Sequence, residues 1–220
     1  MNSYLLPSGG AIRFSGPTDG PVVVCMNGGP ARPVPGDWSP SIEWLVGQLV
    51  PRFPRVGFAE LRYRVKSWRA LDSLIADATD AVDASRRRGA TTIALLGFSA
   101  GGAASLACAG SRGITTVIAL APWVPEQLDL SPLSGARVRV FHGNRDGERF
   151  GFPGVSPQHS RDAVARLRAA GVDATHTTIR GGVHGLAVRP FGRLVPLPHA
   201  RQWLDQITSE VAHFASQAPA

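Results

Sequence analysis

The stretch TIALLGFSAGGAASLACA, residues 92–109, decides how this chain is read. Thr92 to Leu96 is a continuous apolar run of the kind found in a strand buried on both faces. From Ser99 to about Ala109 the residues are small, as in a tightly packed helix. Between them stands Gly97-Phe98-Ser99-Ala100-Gly101-Gly102. A serine in so tight a strand-to-helix turn takes a strained backbone, and glycines on either side remove side chains that would collide with the strand and the helix. The hydroxyl is thereby held exposed. The first N–H groups of the helix, and its positive dipole end, point at negative charge developing beside that hydroxyl. Three fixed residues recur by chance in many chains, and a glycine-rich turn with a capping serine is the plainer reading, so the surroundings must decide.

Working outward, the chain alternates strands and helices. A short strand or hairpin is expected around Tyr4 to Phe14, and PVVVCM (Pro21 to Met26) is a β-branched buried strand ending in Asn27-Gly28-Gly29-Pro30. Ser39 caps a helix with Pro40 at its first position and Ile42, Leu45 and Leu49 on one side, stopped by Pro51. A strand near Arg55 to Leu61 precedes a long helix with Trp68, Leu71, Ile75, Ala78 and Val82 on a core-facing stripe, closed by Gly89. TVIALA (Thr116 to Ala121) and RVRVF (Arg137 to Phe141) read as strands. Ser156-Pro157 opens a helix that ends at Gly171, Thr175 to Ile179 is a strand, and Trp203, Ile207, Val211 and Phe214 line the last helix. This order predicts an α/β fold: a mostly parallel twisted sheet with helices on both faces and right-handed crossovers. With 220 residues and no internal repeat or linker, one domain spanning 1–220 is expected.

Composition limits the function classes. The chain is 44% hydrophobic and 18% charged, enough to bury a full core. Its formal charge of +7 is dispersed. The one cationic run, Arg86-Arg87-Arg88, falls at a helix end where cations favour the dipole, and no interleaved aromatics accompany it, so neither nucleic acid nor membrane is an expected partner. Cys25 and Cys108 read as core residues rather than a disulfide or metal site, and no cofactor is expected. No leader-like N-terminus and no apolar run of about 18 residues is present, which predicts a cytoplasmic protein.

With its flanking strand and helix, Gly97-Phe98-Ser99-Ala100-Gly101 resembles the nucleophile elbow of the α/β-hydrolase family. The resemblance extends over nearly the whole chain, through a Gly-Gly turn after an early strand and the order serine, acid, histidine. It is similar to the compact, lidless dienelactone hydrolase and small carboxylesterase branch, because only about 15 residues separate TVIALA from RVRVF, where relatives insert lids. The resemblance implies hydrolysis of a carboxylic ester, lactone or thioester through an acyl-enzyme on Ser99. An acyltransferase with the same residues, or a non-catalytic small-molecule receptor on the same fold, stays open.

A serine hydroxyl needs a base, usually histidine. Of the six histidines, His199 and His213 belong to the last helix, His159 to a first helical turn, His176 to a strand interior, and His142 to a strand end. His184 lies in Gly181-Gly182-Val183-His184-Gly185, directly after the last strand. In a parallel sheet that places it on the same edge as Ser99, and the family carries its catalytic histidine in this loop. The acid that orients the imidazole belongs on that edge too. Asp146 follows RVRVF there, with Asp129 as its rival, while Asp173 begins a strand and falls on the opposite edge. By resemblance the backbone N–H groups of Gly29 and Ala100 form an oxyanion hole, although many relatives carry His-Gly where this chain has Asn27-Gly28. Trp123, Phe150, Phe152 and Trp38, with Phe191 as a further candidate, are the expected pocket residues.

Overall fold

The computed structural model describes residues 2–147 and 154–218. Eight strands form one sheet: β1 (Ser3–Leu5), β2 (Ala11–Ser15), β3 (Pro21–Met26), β4 (Gly57–Arg62), β5 (Thr92–Phe98), β6 (Thr116–Leu120), β7 (Arg137–Gly143) and β8 (Asp173–Ile179). Their spatial order is β1-β2-β4-β3-β5-β6-β7-β8. From β4 to β8 every pairing is parallel, while at one edge β2 pairs antiparallel with both β1 and β4, so β2 alone runs against the other strands of the sheet. The chain leaves β3 toward β4 on one side and reaches β5 on the other, which opens a crevice at the carboxyl ends of these central strands.

The central strands are buried on both faces because each alternates its side chains between two apolar layers. Val22, Val24 and Met26 of β3 point into one layer with Ile93 and Leu95 of β5. Val23, Cys25, Ala94, Leu96 and Phe98 point into the other. The first layer is closed by α2 (Leu71–Arg87), α3 (Ala100–Arg112) and α4 (Pro157–Ala169), the second by α1 (Pro40–Leu49) and α5 (Ala200–Gln217). A fully apolar strand such as Thr92 to Leu96 is thus a period-two strand with two hydrophobic sides. Both cysteines are buried and free, as core residues.

Local chemistry sets the helix ends. The Ser39 hydroxyl accepts from the Ile42 N–H, with Pro40 opening α1, and the Ser156 hydroxyl accepts from the Gln158 N–H at the start of α4. One expectation needs correction. Trp68 is not part of the long helix: Ser67 caps a separate 3-10 turn, Trp68–Ala70, and α2 begins only at Leu71. α1 ends at Leu49, just before Pro51, and the chain then makes a separate 3-10 turn over Val50–Arg52. Between β6 and β7 the chain carries only a 3-10 turn at Ser131–Leu133, so no lid domain is inserted there. Among the described residues no helix is long and apolar enough to cross a membrane.

Glycines separate into free and confined positions. A Cβ on Gly47, in α1, meets nothing within 4 Å, whereas one on Gly101 would collide with the Asn27 carbonyl. Gly47→Ala is therefore expected to raise stability by about 0.5–1 kcal/mol through its better helix propensity. Gly101→Ala should lower it by roughly 1–3 kcal/mol through overpacking. Urea unfolding of the two variants checks both signs.

Candidate active site

Each feature of the site follows the carboxyl end of a parallel strand. Asn27-Gly28-Gly29 follows β3, Lys66 to Trp68 follow β4, Ser99 follows β5, Trp123 follows β6, Asp146 follows β7 and His184 follows β8. These termini share one edge of the sheet, so residues far apart in sequence meet there. They line a cavity of about 440 Å³ whose wall includes Gly28, Gly29, Lys66, Trp68, Phe98, Ser99, Trp123 and His184.

Ser99 has φ 57 and ψ −123, a conformation that a residue bearing a Cβ adopts only under strain. Such strain costs about 1–3 kcal/mol and persists only where the surroundings over-determine it. Here they do. The Ser99 N–H donates to the Leu120 carbonyl at 2.9 Å, and the Ser99 carbonyl accepts from the N–H groups of Gly102 (2.8 Å) and Trp123 (3.0 Å). On the side of the β3 turn, a Cβ at Gly28 would lie 2.6 Å from the Ser99 Cβ and 2.9 Å from its Oγ. Only glycine lets that turn lie against the serine. Ala100 opens α3, so its N–H has no intrahelical acceptor. Among the described residues no protein acceptor takes the N–H of Gly29.

His184 and Asp146 are joined directly. The imidazole Nδ1 lies 2.7 Å from Asp146 Oδ2, with the carboxylate side chain fully buried and the imidazole 21% exposed toward the cavity. Phe98 packs on the His184 ring at 4.8 Å between centroids. Asp146 also accepts the Val155 N–H on Oδ1 at 3.2 Å. Asp129, the rival acid, is exposed and accepts from the Ser131 N–H in its own turn, and Asp173 pairs with Arg139.

A second imidazole touches the same carboxylate, and sequence reasoning missed it. His142 is fully buried at the end of β7, with Nε2 3.1 Å from Asp146 Oδ2 and 2.9 Å from the Val155 carbonyl. A carbonyl only accepts, so that nitrogen carries a proton, which it shares between Val155 and Asp146. Nδ1 lies 2.5 Å from the buried Ser160 hydroxyl. Burial by itself raises the pKa of Asp146, but the hydrogen bonds from His142 and His184 outweigh it and hold the carboxyl below its usual range. The clue in the sequence was His142 four residues before Asp146 across the Gly143 turn, a spacing that brings both side chains to one turn.

Trp123 lines the cavity. Trp38 does not: its ring lies under the guanidinium groups of Arg13 (4.4 Å) and Arg62 (5.6 Å), because the loop after β3 swings toward β2 and β4. Phe191 is fully exposed on the 3-10 turn Pro190–Gly192 and forms no part of the cavity. Phe150 and Phe152 lie outside the described residues. Lys66, Trp68 and Phe98 were missed, since Lys66 and Trp68 sit beyond a strand end whose neighbours only the folded sheet reveals.

No protein-family model and no curated protein sequence matches this chain. Solved structures do resemble it. Est1E from Butyrivibrio proteoclasticus superimposes with a TM-score of 0.67 at 13% identity, over 99% of this chain and 100% of that one. An α/β serine hydrolase without a lid from Xanthomonas campestris gives 0.63 at 17% identity, over 100% and 95%. A dienelactone hydrolase-like promiscuous phosphotriesterase from metagenomic libraries gives 0.68 at 17%, over 99% and 98%. The chain has the α/β-hydrolase fold in its lidless form.

The shared carboxylate yields a test. His142→Leu removes one donor and is expected to raise the Asp146 titration midpoint, followed by carboxyl NMR, while His142→Gln, which keeps an N–H near the Nε2 position, restores most of it. The folded-state midpoint lies below the unfolded value of about 3.9. The carboxylate's contribution to stability is therefore complete above that pH and disappears as pH falls through the folded midpoint. In urea unfolding as a function of pH, the stability lost on acidification below about pH 3.9 should be smaller in His142→Leu than in the wild type, because its folded midpoint lies closer to the unfolded one.

Proposed function

We propose that this protein is a serine hydrolase that cleaves small carboxylic esters, with Ser99 as nucleophile, His184 as general base and Asp146 as the acid that orients it. The observation that carries this reading is a strained, cavity-facing Ser99 in the same cavity as an imidazole whose Nδ1 is held by a buried carboxylate. The Asp146 bond fixes the tautomer, leaving Nε2 of His184 to take the serine proton. The names of the structural neighbours, among them an esterase and a phospholipase/carboxylesterase, favour ester substrates.

In this mechanism Ser99 Oγ attacks the ester carbonyl carbon as its proton passes to His184. The N–H groups of Gly29 and Ala100 receive the negative charge that develops on the carbonyl oxygen. As the tetrahedral intermediate collapses, the bond to the alcohol oxygen breaks, and the proton on His184 goes to the departing alkoxide. Water then attacks the acyl-enzyme by the same route, giving the free acid and restoring the Ser99 hydroxyl. A lactone or a thioester reacts in the same way, with a tethered alkoxide or a thiolate leaving. Substrate binding involves the apolar wall of Trp68, Phe98 and Trp123, with Lys66 as a cation on the rim, paired with Asp37 at 2.6 Å.

Fluorophosphonate labelling of the wild type, lost in Ser99→Ala, is the direct test. On 4-nitrophenyl acetate Ser99→Ala and His184→Ala should each lower kcat by about 10⁴-fold or more, with KM little changed. Absence of both labelling and turnover in folded wild type would leave a non-catalytic binding protein as the better reading.

A further inference from the structure

The two tryptophans of the cavity stand between it and a second cavity. Trp68 and Trp123 pack against each other with ring centroids 5.3 Å apart and planes at 51°. Both also line a neighbouring groove of about 480 Å³, whose floor is formed by Leu71 and Ile75 of α2 with Pro125 and Leu128 of the loop after β6, and which Arg69, Asp72 and Gln127 also line. The indole pair is thus a partition with the proposed nucleophile on one side and, on the other, a trough lined by this apolar stripe together with these polar side chains.

The main chain on both sides of this partition is held by hydrogen bonds. The Trp123 N–H donates to the Ser99 carbonyl, and the neighbouring Val124 N–H donates to Nε2 of His159 at 2.8 Å. Ala121, two residues before Trp123, has φ 41, a strained value for a residue bearing a Cβ. The Arg166 guanidinium then donates to the carbonyls of Pro125, Glu126 and Leu128 at 3.1, 2.8 and 2.7 Å. On the other side, the Trp68 N–H donates to the Pro30 carbonyl at 3.2 Å, and the buried Ser67 hydroxyl donates to the Ala31 carbonyl at 2.9 Å. The main chain that carries each indole is thereby tied to the backbone that positions Ser99 and the Gly28-Gly29 turn.

We infer that the Trp68–Trp123 pair sets the length of acyl chain this site accepts, and that the groove behind it is a latent acyl-chain channel for medium-length fatty esters. This rests on the proposed role of Ser99. The acyl side is assigned by chemistry. The leaving oxygen must face His184, which returns its proton, and that end of the cavity is bordered by Gly154 and Val155 beside Asp146. The indoles are anchored instead on the serine elbow and the oxyanion turn, so the acyl group runs toward them. A short acyl group fits in front of the partition. A longer one meets two rings whose backbones have no slack.

The test uses 4-nitrophenyl esters from acetate to decanoate on the wild type, Trp68→Ala and the double variant Trp68→Ala/Ile75→Trp, with thermal unfolding to confirm folding and fluorophosphonate labelling to confirm a reactive Ser99. The wild type should prefer acetate to butyrate and lose at least about tenfold in kcat/KM by octanoate. Each methylene buried in an apolar channel is worth about fourfold. Trp68→Ala should therefore raise the octanoate-to-acetate ratio by about tenfold or more, and Ile75→Trp, which refills the groove, should reverse that gain. An unchanged ratio in labelled, folded Trp68→Ala overturns the inference, as does a wild type that already hydrolyses octanoate as well as acetate. A gain seen only when the alcohol of an acetate ester is lengthened overturns the acyl assignment. Loss of labelling in folded wild type instead overturns the role of Ser99, so the two failures are distinguishable.

Discussion

The close approach of two backbone turns governs this molecule. The Asn27-Gly28-Gly29 turn after β3 lies so near the β5–α3 elbow that a Cβ on Gly28 would stand 2.6 Å from that of Ser99, and one on Gly101 would strike the Asn27 carbonyl. Neighbouring parallel strands bring the two turns side by side, and the glycines let them touch. The strained conformation of Ser99 survives because Leu120, Gly102 and Trp123 all bond to its backbone. Strain at one residue is balanced by hydrogen bonds from three others, and the side chain is left pointing into the cavity.

From that contact the rest of the site follows by the logic of a parallel sheet. Carboxyl ends of successive strands lie on one edge, so loops from β3 to β8 converge whatever their separation in sequence. The convergence is also why the acidic side of the site is more elaborate than a simple pair. Asp146 is buried and receives two imidazoles and a backbone N–H, which a carboxylate with several lone pairs accommodates without leaving the charge unpaired. Removing that carboxylate from water would be costly without those donors.

The apolar partition of Trp68 and Trp123 draws on the same geometry. Each indole sits just past a strand end, and each is tied by its own backbone N–H to one of the two turns that meet at Ser99. A change that loosened the turns would therefore be felt in the shape of the cavity, and the reverse holds as well.

The sequence alone determined the alternation of elements, the doubly buried strands, the caps at Ser39 and Ser156, and the sheet edge to which Ser99, Asp146 and His184 belong. Those properties are local or follow from chain order: a buried parallel strand has its own composition, a capping serine acts within a few residues, and strand direction assigns every loop to an edge. Only the tertiary structure decided which side chains meet along that edge. It turned Trp38 toward Arg13, placed Trp68 in a turn of its own beside Trp123, and set His142 on the Asp146 carboxylate. The reason is physical. Lateral packing depends on strand order, on the path of each loop and on which side chain fills the space between, and none of these is carried by the periodicity of a single segment.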